Sequence, residues 1–288
     1  MNNILANQNK PENLQKLAAQ RQLYKTAKRL LIWQIILTVP VTIALSFCKL
    51  LQDSLFGFSV TAFVALYGIL LAIADIFIFN HFISQYRTDA AKIQELFDCS
   101  AYEMSWNNIE IGKEPNQELI NEFSNQYVEI PDSPLTDWYP FEIGSMDKQQ
   151  AILTCQKTNL YYDASLRRMY KNIALIVSIA TFIILIATSI GKNISLPSFI
   201  VYVLAPFFPI LILTFKIIFE HGKSIKSASE LHDRVNVVNP YNAPSMEQLR
   251  SIQNKIYCHR KDSPLMPDFF YNKKRKKLED SMHRNATI

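Results

Sequence analysis

The chain has 288 residues, a formal net charge of +5 and an apolar share of 49%. That share is near the globular mean, and with only 6 glycines and 13 prolines the chain is neither collagen-like nor Pro/Gly-dominated and disordered. The apolar residues sit in long blocks with the charges between them, so the blocks decide the class.

The chain opens on a polar stretch, 1–29, predicted as an N-terminal helix. Pro11 suits a first helical turn and Asn9 is placed to cap it. No small-residue cleavage site follows the first apolar run, so no secretory signal is predicted. Span one covers 30–51 around Pro40. Span two covers 55–83, is interrupted by Asp75 and Asn80, and continues towards Cys99. The segment 84–172 is predicted to be mainly helical. It holds a short helix from Gln117 to Tyr127, turn signals at Pro131-Asp132-Ser133-Pro134 and a helix start at Ser145 and Asp147. From there to Ile190 no Gly or Pro occurs, and Gly191 is placed as the stop. That helix would have about 45 residues and roughly 70 Å of length, more than twice the bilayer's apolar core of about 30 Å. Span three is its last part, 173–190. Span four, 196–219, contains Pro206, Pro209 and Lys216 and runs on towards Arg234. The C-terminal region, 220–288, holds a helix around Ser245 to Tyr257 and the basic run Lys273 to Lys277. That run suits anionic lipid or nucleic acid, or is simply a solvated tail.

Each block is long enough for a helix to cross lipid. The links between spans one and two and between three and four are tight turns, so two hairpins follow. The fold class expected is all-α integral membrane: four transmembrane helices in two hairpins, extended into a cytoplasmic helical bundle. Lys and Arg set the orientation. Lys16, Arg21, Lys25, Lys28, Arg29, Arg87, Lys92, Lys157, Arg167, Arg168, Lys171, Lys223, Lys226 and Arg234 flank one set of ends, whereas the tight turns carry only Lys49 and Lys192. Both termini and the middle segment are therefore expected in the cytoplasm. Apolar stripes on the projecting helices (Leu17, Tyr24 and Leu31; Ile93, Leu96 and Phe97; Leu153, Leu160 and Leu166) are expected to pack together. A short repeat, Phe79-x-His81-x-x-Ser84 and Phe219-x-His221-x-x-Ser224, suggests two parallel copies of one hairpin.

No catalytic motif occurs: no G-x-S-x-G, H-E-x-x-H, Walker loop or G-x-G-x-x-G. Cys48, Cys99, Cys155 and Cys258 lack metal or redox spacing and are expected to be reduced thiols. The five histidines are dispersed. No cofactor, no metal and no enzyme activity is expected. Ionisable groups inside a membrane are costly and often functional. Asp75 and Lys216 are the carboxylate and the base lying well inside spans. They suit a pair locking spans two and four, a pore or gate lining, or snorkelling. Pro206-x-x-Pro209 frees backbone carbonyls in span four and suits a gate. On the cytoplasmic side Lys157, Tyr161, Arg167, Arg168, Lys223, Lys226 and Arg234 combine cations with an aromatic. Arg makes bidentate phosphate contacts and Tyr stacks on bases, so this face is a candidate nucleotide site, although topology and lipid headgroups alone also demand cations there.

Three strings, with this layout, resemble a known family: Leu23-Tyr24-x-x-Ala27-Lys28; Cys155-Gln156-Lys157-x-Asn159 with Leu166-Arg167; and Pro264-Leu-Met-Pro267-Asp268-Phe-Phe-Tyr271 with Arg275 and Met282. The chain resembles the SMODS-associated four-transmembrane effectors of CBASS, bacterial anti-phage systems that signal with cyclic oligonucleotides. The resemblance implies a non-enzymatic effector of the bacterial inner membrane. A cyclic di- or trinucleotide would activate it, it would self-associate, and it would breach the membrane so that the infected cell dies. Its partners would be membrane lipid, the cyclic nucleotide and further copies of itself, not DNA. A constitutive channel or transporter, and a non-conducting membrane sensor or scaffold, remain the alternatives.

Overall fold

The structure, a computed structural model, describes residues 2–45, 48, 61–129, 134–191, 195–237 and 244–268, and only the backbone of 161–163, 202 and 206. The described residues are helices and connecting turns, with no strand among them. In chain order the helices are α1 (Ile4–Gln8), α2 (Pro11–Leu45), α3 (Thr61–Tyr102), α4 (Asn108–Ile111), α5 (Gln117–Asn125), α6 (Lys148–Gly191), α7 (196–237) and α8 (Met246–Asp262).

α2, α3 and α6 have 35, 42 and 44 residues and are long and apolar enough to cross a membrane. At 1.5 Å per residue α6 is roughly 66 Å long, against a bilayer core of about 30 Å. The expected fourth span, 196–219, is helical throughout within α7. The tight turn of the first hairpin, most of that of the second, the signal at 131–133 and the basic run at 273–277 lie outside the described residues.

Helix boundaries follow local chemistry. Asn9 does not cap α2. Its side chain instead accepts from the Asp137 amide at 3.0 Å, and the Lys10 carbonyl receives the first helical N–H groups. α3 stops where Glu103 turns left-handed (φ 53°) and the Met104 amide folds back on the Cys99 carbonyl at 2.8 Å, a Schellman-like end built without glycine. α5 is capped by Asn116, and α8 by a full capping box of Ser245 and Gln248.

The chain forms two compact units. The first comprises 1–28, 84–167 and 223–288, the second 29–83 and 168–222. In the first, the predicted stripes meet in part: Leu17, Phe97, Leu153 and Leu160 are buried in one core with Ile4, Tyr102, Ile143 and Ile256, whereas Leu31 belongs to the second unit. Leu23, Ile93, Ile120 and Phe123 form a second cluster. In the second unit the buried apolar cluster is small, Leu185, Val203, Phe207 and Ile210. The outer faces are apolar instead: Phe63 is 68% exposed, Phe77 69% and Ile176 64%. Such surface is unfavourable in water and at home in lipid.

The two copies of the Phe-x-His-x-x-Ser string occupy opposite environments. Phe79 is buried and His81 exposed, whereas Phe219 is exposed and His221 is buried edge-on against Tyr170. The string therefore does not mark equivalent surroundings at its two positions. All four cysteines are free thiols.

Candidate functional site

The second unit is interrupted by three π-helical stretches: Leu37–Val41 in α2, Asp75–Asn80 in α3 and Ile200–Leu204 in α7. Two have a covalent cause. Pro40 lies inside the first and Pro206 follows the third by two residues, and a proline ring neither donates a hydrogen bond nor tolerates the carbonyl four residues back. The Tyr67 hydroxyl of α3 donates to the Leu37 carbonyl at the start of the first stretch, at 2.5 Å. Pro209 stands one turn further along α7.

The second stretch, Asp75–Asn80, has no proline in it or near it. In an α-helix residues five apart point about 140° away from each other. The wider π winding brings Asp75 and Asn80 round to one side, and the Asn80 amide donates to the Asp75 carboxylate at 3.1 Å. Gln34 of α2 donates to the other carboxylate oxygen of Asp75. The ammonium of Lys216 on α7 donates to the Asn80 carbonyl oxygen. Gln34, Asp75, Asn80 and Lys216 thus form one chain of hydrogen bonds across three helices. Asp75 and Lys216 are joined through Asn80, so a carboxylate and an ammonium inside an apolar unit are both hydrogen-bonded, as their desolvation cost requires.

Beside this relay lies a cavity of about 720 Å³, lined by Thr38, Thr42, Gly68, Asp75, Phe208 and Lys216 among others. Residues from all three π stretches line it, including Thr38, Asp75 and Ile200. Gln34, Thr38 and Thr42 are all buried and stand four residues apart, which places them on one face of α2. Their spacing in an apolar run is readable from sequence, but Asp75 and Lys216 alone draw the eye because they are charged.

The candidate ligand residues are distributed. Lys223, Lys226 and Arg234 are exposed on α7, and intervals of three and eight residues put them on one helix face. Lys226 shares that face with Glu230 at 3.8 Å. Lys157 is half-buried on α6. Only the backbone of Tyr161 is described. Arg167 is 7% exposed, and its guanidinium donates to the Pro264 carbonyl at 2.5 Å. Arg168 is exposed and belongs to the second unit. Arg167 and the face of Lys223, Lys226 and Arg234 therefore lie in the first unit, with Arg167 already engaged by the chain's own backbone.

The first unit also contains a buried polar centre that its sequence does not announce. Glu95 and Asp98 of α3 are fully buried. Arg250 of α8 pairs with Glu95 at 2.5 Å, and Arg260 pairs with Asp98 at 2.5 Å. Gln253 donates to both carboxylates at 2.8 and 2.9 Å. Tyr139 donates to Asp98 at 2.6 Å and receives the Tyr102 hydroxyl at 2.7 Å. Burial, and then the neighbouring Asp98, push the Glu95 carboxyl up, against the pull of the two arginines. Burial likewise raises the Tyr139 and Tyr102 hydroxyls well above their ordinary range. With every carboxylate oxygen bonded, the centre reads as the lock that docks α8 onto α3 rather than as a reactive site. No group of metal-ligating side chains exists among the described residues.

Residues 2–287 match the family model of the SMODS-associating 4TM effector domain. A protein of Bacillus cereus (strain VD146) described as a probable CBASS effector molecule is 25% identical over 287 residues, covering 97% of this chain and 95% of its own length. No solved structure matches the chain.

Proposed function

Since this chain belongs to the SMODS-associating 4TM effector family, a family of membrane effectors in anti-phage defence, we propose that it is a pore-forming effector switched on by a cyclic oligonucleotide. The observation that carries the reading is the relay of Gln34, Asp75, Asn80 and Lys216 beside the cavity of about 720 Å³. A polar chain across three apolar helices is expensive to keep in a membrane. It is more than anchoring needs, and it has the composition of a lining that meets water once the helices part.

In this reading 196–219 is the fourth span and both tight turns face outward, as the distribution of Lys and Arg requires. The first unit then lies in the cytoplasm of a bacterial cell, and the second in the inner membrane. A cyclic di- or trinucleotide carries two or three phosphodiesters. The exposed cations Lys223, Lys226 and Arg234, with Lys157 in the same unit, offer charge to match them. Ligand binding opens the spans by as much as the open state binds it more tightly. A cavity of this size within one chain is too small for a wide pore, so several copies assemble on activation. The relay is then part of the gate, and the π stretches at Pro40 and before Pro206 mark where α2 and α7 change their winding, as such stretches do at functional sites. No reaction is assigned to the chain.

The test is made in cells. Co-expression with an active nucleotide cyclase should depolarise the membrane, and Lys223→Glu combined with Arg234→Glu should abolish the response. An unchanged membrane potential with the native chain rejects the pore. Full depolarisation by the double variant rejects the ligand face.

A further inference from the structure

After α8 the chain runs without helix from Ser263 to Pro267 and on to Asp268, and every long helix of the first unit reaches this segment. Lys28 of α2 forms an ion pair with Asp268. Arg87 of α3 donates to the Ser263 carbonyl at 3.4 Å. Arg167 of α6 donates to the Pro264 carbonyl at 2.5 Å. The Ser224 hydroxyl of α7 pairs with the Ser263 hydroxyl at 2.7 Å. Ser263 and Pro264 are buried. The positions of the ties along the helices are the telling point. The first unit ends at Lys28, resumes at Ser84, ends again at Arg167 and resumes at Lys223. Each of the four helices is therefore held within four residues of the point where its chain passes into the second unit.

We propose that residues 263–268 are an autoinhibitory strap. While seated, it holds the four helices at one spacing where they leave the first unit, and its displacement is the step that frees the second unit to open. Three of its four ties end on cations (Lys28, Arg87 and Arg167), so a phosphate beyond those held by Lys223, Lys226 and Arg234 would draw them away from the strap. Two of the four ties are weak: Arg87 is bonded at long range, and the Lys28–Asp268 pair, with side chains 24% and 55% exposed, is of the weak surface kind. The opening step rests on the pore-forming reading, whereas the seating of the strap does not.

Charge reversal in the full-length protein in liposomes separates the two. Lys28→Glu and Asp268→Lys each set like charges against one another, and the double variant restores the pair with its sign inverted. Hydrogen exchange at the amides of 263–268 reports whether the strap is seated, and dye leakage without nucleotide reports opening. The expected result is lost protection and a several-fold rise in leakage for each single variant, with both returning to native levels in the double. Where a charge variant fails to fold, Ser224→Ala with Ser263→Ala removes the hydroxyl pair at little change in volume and serves in its place. Unchanged protection in the single variants overturns the strap. So does lost protection without leakage, in a preparation whose native protein leaks when given a cyclic nucleotide. Native protein that leaks with no nucleotide of the panel points instead to failure of the pore reading, and the opening step falls with it.

Discussion

At the scale of single residues, the fold depends on charges taken out of water and paired. Asp98 is fully buried and accepts from Tyr139, Gln253 and Arg260. Asp98→Ala leaves the Arg260 guanidinium without its carboxylate, a change that costs about 3–5 kcal/mol in comparable buried pairs. Thermal unfolding of the detergent-solubilised variant should show that loss, and a native melting temperature would contradict it. Glu103 behaves differently because it is exposed. Hydrogen bonds from Lys148, Asn3 and Asn7, with the charge of Lys148, hold its carboxyl down at about 2. A depressed carboxyl stabilises the fold above its ordinary value of 4.5 and loses that contribution as pH falls towards about 2. The gap in melting temperature between the native chain and Glu103→Gln should be small, being a surface pair, and should close across that window. A constant gap would refute the assignment.

Little of this residue-scale detail could be read in advance. Asp75 and Lys216 stand out because a charge in an apolar run needs explaining. Their link through Asn80, and the contact with Gln34, depend on tertiary packing and on a π winding that no proline signals. Glu95 and Asp98 look like ordinary surface carboxylates of an amphipathic helix, and only the docking of α8 shows them to be buried. Its type and place make Arg167 look ligand-facing, yet its guanidinium donates to the Pro264 carbonyl of the strap.

At the scale of elements, long helices were legible where Gly and Pro are scarce. α6 runs from Lys148 to Gly191, close to the predicted course, because nothing between Asp147 and Gly191 breaks it. α8 runs further than expected, to Asp262, because nothing after Tyr257 ends it before Ser263. The short helices α1 and α4 escaped prediction because four or five residues carry no periodicity. The two proline-linked π stretches could be anticipated only as kinks. The capping box of α8 gives an element-scale prediction: Ser245→Ala removes a hydroxyl that accepts from the Gln248 amide at 3.2 Å. It should cost about 1 kcal/mol, read as a lowered melting temperature, with Ser245→Asp close to native. Equal stability of Ser245→Ala and the native chain would show that the cap contributes nothing.

At the scale of the whole molecule, the alternation of apolar blocks and basic flanks carried the reading furthest, because lipid admits only segments that satisfy their own backbone. The division into a unit with a buried apolar core and a unit with an apolar exterior follows from the same alternation. The measurement that tests the account most directly uses purified protein in dye-loaded liposomes, challenged with a panel of cyclic dinucleotides and trinucleotides. At least one should release the dye while the corresponding linear nucleotides do not, and Asp75→Ala or Lys216→Ala should alter the release. Liposomes that stay sealed against the whole panel, with the protein inserted and folded, would contradict it.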